Sequence, residues 1–119
     1  MDKECATFIA TLLHSATNAH FQHLTTDSYA KHMALGAYYD EIVDLVDAFA
    51  ETYMGVYGKF ASFPDVYHSP KDPIQYFESL QRFVADARKD IAPEPQLQNQ
   101  IDAIADLIDS TVYKLKFLG

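Results

Sequence analysis

The chain has 119 residues, 49% of them apolar, and carries a formal net charge of −8. That length suits one domain with a single four-helix core, and the acidic balance disfavours nucleic acid, whose phosphates need clustered Lys and Arg. The lone Cys5 excludes an internal disulfide or a thiolate zinc cluster, and no apolar run approaches the ~20 residues of a membrane span, so the expectation is a soluble cytoplasmic protein.

Four glycines and five prolines are too few for the tight turns of an all-β fold, and helical periodicity dominates instead. A first helix is predicted over about residues 3–24, with Phe8, Ile9, Leu12, Leu13, Ala16, Ala19, His20, His23 and Leu24 on one face. Thr25 to Ser28 supplies N-cap candidates for a second helix over about residues 28–56. Its apolar face is Leu35, Tyr38, Ile42, Leu45, Val46, Phe49 and Tyr53, and Gly55 and Gly58 mark its end. Residues 59–73 lack periodicity and read as a crossover. Asp72-Pro73 then opens a third helix with Ile74, Phe77, Leu80, Val84 and Ile91 inward. Ala92-Pro93-Glu94-Pro95 breaks the chain before a last helix striped by Leu97, Ile101, Ile104, Ile108, Leu115 and Leu118. Two helices, one long link and two more helices predict an all-α, single-domain bundle over residues 1–119 with ferritin-like, up-down-down-up connectivity, the simple up-down bundle being the alternative.

His20, His32, Asp47 and Glu51 form the most informative constellation, because imidazole and carboxylate are the donors that iron and similar metals accept. His32 and Glu51 would stand ~28 Å apart on one helix, so only a second chain about a two-fold axis could bring them to one metal. Asp40, Asp44, Asp47 and Glu51 follow one another at i, i+4, i+7 and i+11, a carboxylate ridge that is either a solvated face or a cation site. His23 reads as a packing or supporting residue one turn from His20, His14 as exposed, and His68 as a surface residue of the crossover. No Gly-rich phosphate loop, nucleophile elbow or HExxH motif is present, and Glu-x-x-His is absent from both candidate helices.

The spacing His20-x11-His32-x14-Asp47-x3-Glu51, with Ala19-His20-Phe21 and Asp47-Ala48-Phe49-Ala50-Glu51 around it, resembles the ferroxidase ligand pattern of the Dps-type mini-ferritins. The resemblance covers roughly residues 7–55. It implies a ferritin-like fold whose crossover helix is reduced or absent. It also implies an iron cofactor or substrate, replaceable by other divalent metals, held as Fe2+ between two subunits and oxidised there. The partner is a second copy of the chain, a two-fold dimer at least and a dodecameric shell in full form, with no nucleic acid and no membrane. Gly36 stands where that family has an Asp, with Asp40 one turn on as the substitute. Two other classes stand beside this expectation. One is a catalytically inactive helical interaction or structural protein; the other is a small metal-dependent bundle enzyme using His20 and His23 within one subunit.

Overall fold

The first four residues set the start of the first helix. Asp2 and Glu4 place negative charge in the opening turn, where unsatisfied N–H groups and the macrodipole favour it, and α1 runs Asp2–Thr25. At Thr26 the backbone turns extended. Ser28 accepts the amide of Lys31 at 3.2 Å and opens α2, Tyr29–Tyr57, which ends at Gly58 with φ 93°, a left-handed conformation open to glycine. Asp72 accepts the amide of Gln75 and Pro73 occupies the first turn of α3, Pro73–Ala87. A 3-10 turn, Arg88–Asp90, leads to α4, Pro95–Phe117, again with proline in its first turn. This computed structural model describes residues 1–65, 67 and 69–119, and those residues contain no strand.

Cross-helix contacts fix the direction of every helix. Asn18 donates to the Tyr76 hydroxyl while Phe8 stacks on Phe83, so α1 and α3 are antiparallel. Gln100 donates to Thr52 at one end of the α2–α4 pair, and Gly119 touches Ala30 at the other. Gln81 reaches Asp109 and Arg88 reaches Asp102, so α3 and α4 also run oppositely. The order is therefore up-down-down-up, with the 15 residues between α2 and α3 as the crossover, as the periodicity predicts.

The core is aromatic at its centre and aliphatic along α4. Phe8, Tyr38, Phe49, Tyr53 and Phe77 are fully buried; Phe8 meets Phe49 edge-on at 5.4 Å and Tyr38 meets Phe77 at 4.6 Å and 85°. The buried Tyr38 hydroxyl bonds Ser15 at 2.7 Å, and burial pushes its phenol well above the usual range. Phe60 stacks on Tyr53 at 5.0 Å and Phe63 follows Phe60, so an aromatic ladder pins the first half of the crossover. Tyr53 donates to Asp2 and Tyr57 to both oxygens of Glu94, tying the C-terminal end of α2 to the starts of α1 and α4.

The buried stripe of α1 differs from the predicted one. Leu13, His20 and Leu24 are exposed, while the polar Ser15, Asn18 and Gln22 are buried. Each of the three polar residues finds a hydrogen-bond partner in α1 itself, in α3 or in the crossover, which removes most of the cost of burial. Leu118, predicted inward on α4, is 54% exposed because the helix ends at Phe117.

Phe49→Ala should cost ~3–5 kcal/mol in urea unfolding, because it opens a cavity beside Phe8 that the bundle cannot close. Tyr38→Phe should cost only ~1 kcal/mol, since Ser15 retains its bond to the Leu12 carbonyl. Equal losses in the two variants would contradict this ranking.

Candidate functional site

His23 near the end of α1 and His32 in the first turn of α2 face each other across the connecting turn. Their rings stack at 3.7 Å and 18°, each half-buried. Nδ1 of His23 bonds the His32 carbonyl at 2.6 Å, and Nδ1 of His32 bonds the His23 carbonyl at 2.9 Å. A carbonyl oxygen only accepts, so both Nδ1 atoms carry a proton and both lone pairs sit on Nε2. The pair is a reciprocal clamp between two helices. His20 stacks on Tyr39 of α2 at 4.2 Å and 13°, and Tyr39 also meets His23 edge-on, extending the cluster one turn down the hairpin.

Gly36 is what admits the His23 ring. A Cβ built at this position would lie 3.1 Å from His23 Cε1 and 3.2 Å from its Nδ1. The ring is held by its stack and its hydrogen bond, so it has little freedom to yield. A side chain at 36 would therefore press on the His23 ring, and glycine avoids that contact.

The four carboxylates of the α2 ridge, Asp40, Asp44, Asp47 and Glu51, are all exposed. His20 and His32 lie near the α1–α2 turn, and Asp47 and Glu51 lie toward the opposite end of α2, as the spacing requires. Among the described residues no group of three or more His, Cys, Asp or Glu side chains converges to hold a metal ion. Among the described residues the buried side-chain polar atoms without a partner are Gln22 Oε1 and Gln100 Oε1, and neither belongs to this constellation. Within one chain the donor set does not fit a metal. Tyr39 and His32 stack on the faces of the His20 and His23 rings, and the ring centroids of these two histidines lie 6.2 Å apart.

Two other sequence candidates resolve plainly. His14, expected on the surface, is half-buried with the Tyr67 ring edge-on at 5.3 Å. Cys5 is fully buried, and burial pushes its thiol up to about 12, which removes it as a nucleophile at neutral pH. His68 lies outside the described residues.

The same end of the bundle carries a feature that the periodicity did not predict. Phe21 and Leu24 on α1, Tyr29 and Met33 on α2, and Phe117 and Leu118 at the end of α4 are each more than half exposed. Tyr29, Met33 and Leu118 border a shallow cleft of about 350 Å³ between α2 and α4, floored by Ala30 and Ala34. Phe21, Tyr29, Met33 and Phe117 fall off the apolar stripes of their helices, and that was the signal available in the sequence.

A family model described as a family of unknown function, DUF5856, matches residues 23–115. The chain belongs to this family. It is also 30% identical over 112 residues to the "uncharacterized 14.6 kDa protein in mobD-ri intergenic region" of Enterobacteria phage T4, covering 91% of this chain and 84% of that one. No solved structure matches it. The expected membership of the Dps-type mini-ferritins is corrected by these findings, since no ferritin or Dps family matches. The correction has a physical basis. An antiparallel amphipathic hairpin repeats residue types at multiples of one turn in any family, and the position that departs from the Dps pattern, Gly36, belongs here to the His23–His32 clamp.

The clamp generates a double-mutant cycle. Gly36→Asp should destabilise the fold by ~1–2 kcal/mol, because the new side chain displaces a hydrogen-bonded ring. Gly36→Ala should gain nothing in the wild type, despite the ~1 kcal/mol that helix propensity offers, and should recover that gain in a His23→Ala background. Additive effects of Gly36→Ala and His23→Ala in denaturant unfolding would mean that the ring does not press on position 36.

Proposed function

We propose that this protein is a helical interaction module, binding a protein partner through the open end of its bundle rather than turning over a substrate. The observation that carries the reading is the set of large apolar side chains left in water at the α1–α2 turn and the end of α4. Scattered exposed apolar residues are ordinary, but soluble chains rarely leave a patch of more than a few hundred Å² uncovered. Tyr, Phe and Met are also the residue types that dominate interface cores. The clamp supports the reading from beneath, because it holds the ends of α1 and α2 in fixed relation and so presents a preorganised surface. No helix among the described residues is long and apolar enough to cross a membrane.

A photo-crosslinking residue replacing Tyr29, in the cell that makes the protein, should yield a discrete adduct with one other protein. The same probe replacing Asp86, at the far end of α3, should not, and Met33→Asp should abolish the adduct at 29. Equal labelling at both positions, or an adduct only with a second copy of the chain, would overturn the reading.

Iron provides the companion measurement. Oxidation of Fe2+ under air should proceed no faster with the protein than without it. Catalysed oxidation that disappears in His32→Ala and Glu51→Ala would instead favour an interfacial metal site of His20, His32, Asp47 and Glu51.

A further inference from the structure

A second cleft lies along the same pair of helices as the one at the apolar end. The cleft bordered by Tyr29, Met33 and Leu118 opens onto the seam where α2 and α4 lie antiparallel. Further along the seam, Glu41 and Leu45 of α2 face Ala103, Asp106, Leu107 and Ser110 of α4 across a second shallow cleft of about 560 Å³. From Ala30 to Leu45 the seam runs ~22 Å at ~1.5 Å per residue, about four helical turns. Tyr29, Met33, Lys114 and Leu118 border the first cleft over Ala30 and Ala34, and Glu41 and Asp106 flank Leu45, Ala103 and Leu107 at the second.

Charge distinguishes this seam from the other side of α4. Where α4 faces α3, the ionic side chains are paired: Asp102 with Arg88, Glu78 with Lys116, and Asp109 with the Gln81 amide. Where it faces outward beside α2, Glu41 and Asp106 have no ion-pair or hydrogen-bond partner among the described residues. Lys114, half-buried, lines the first cleft at the apolar end, and no cation lines the second. Two unpaired rims of one sign flanking an apolar floor suit a partner of opposite sign with an apolar stripe. A second copy of the chain, at −8, would bring carboxylates against carboxylates.

We propose that the α2–α4 groove takes an amphipathic, basic helix of the partner protein, its apolar stripe on Met33, Leu45 and Leu107 and its Lys or Arg side chains against Glu41 and Asp106. This rests on the interaction reading and assigns it a second, elongated contact.

The test uses the whole protein and two fluorescent peptides of about 18 residues, a length matching the seam plus the apolar cleft. Both carry leucine at i, i+3, i+4 and i+7; one has lysine on its flanks and the other glutamate. The lysine peptide should bind, gain helicity on binding, and weaken as salt rises. The glutamate peptide, or the lysine peptide against Glu41→Lys/Asp106→Lys, should bind at least about tenfold more weakly. Asp86→Ala, exposed at the far end of α3, should leave the affinity unchanged. Equal binding of the two peptides, or full affinity in Glu41→Lys/Asp106→Lys, overturns the groove. Failure of the lysine peptide while crosslinking at position 29 persists also overturns the groove and leaves the interaction reading intact.

Discussion

Burial of one face of α2 is the constraint on which the bundle depends. Leu35, Tyr38, Ile42, Val46, Phe49 and Tyr53 line that face, and each is at most 1% exposed. Through them the helix touches α1 on one side and α4 on the other, while α3 is reached through Tyr38 and Phe77. A helix of 29 residues with β-branched, aromatic and glycine residues in its interior is not held by intrinsic propensity. Tertiary packing holds it. The opposite face, freed from the core, carries the exposed carboxylates Asp40, Asp44, Asp47 and Glu51 and, over its first turns, the exposed Tyr29 and Met33.

The histidines show how the same residue types serve two different physical ends. A metal ligand and a helix clamp both want an imidazole whose Nδ1 donates to a carbonyl. Here the carbonyl that each ring engages belongs to the other histidine, so the two residues are mutually satisfied. The cluster joins the end of α1 to the start of α2 at the least restrained part of a helical hairpin, its turn.

Much of the architecture was legible in the sequence because it rests on local signals. Ser28, Asp72, Pro73 and Pro95 mark helix starts within one residue, and the missing periodicity over residues 59–73 marks the crossover. What escaped depended on contacts between distant positions. Ser15, Asn18 and Gln22 look like surface residues until Tyr38, Tyr76 and Pro70 arrive to bond them. Leu24 and Leu118 lie near the core stripes of their helices but sit where no neighbouring helix remains to cover them. Tyr39 could not be linked to His20, nor Gly36 to His23, without the relative rotation of α1 and α2. The spacing of His20, His32, Asp47 and Glu51 was read accurately, but it is a property of helical hairpins in general and did not carry the family.

The crossover obeys a limit of reach. It leaves α2 beside Asp2 and must deliver the chain to Pro73, near Asn18 and Gln22, roughly 27 Å along α1 at the helical rise. Wound into a helix, its 15 residues would extend only ~22 Å and fall short; extended, they could reach ~50 Å and have slack to spare. A segment helical from end to end is therefore excluded by distance. The slack is taken up where Phe60 and Phe63 stack back toward Tyr53. A single insertion between Tyr57 and Phe60 would put that ladder out of register.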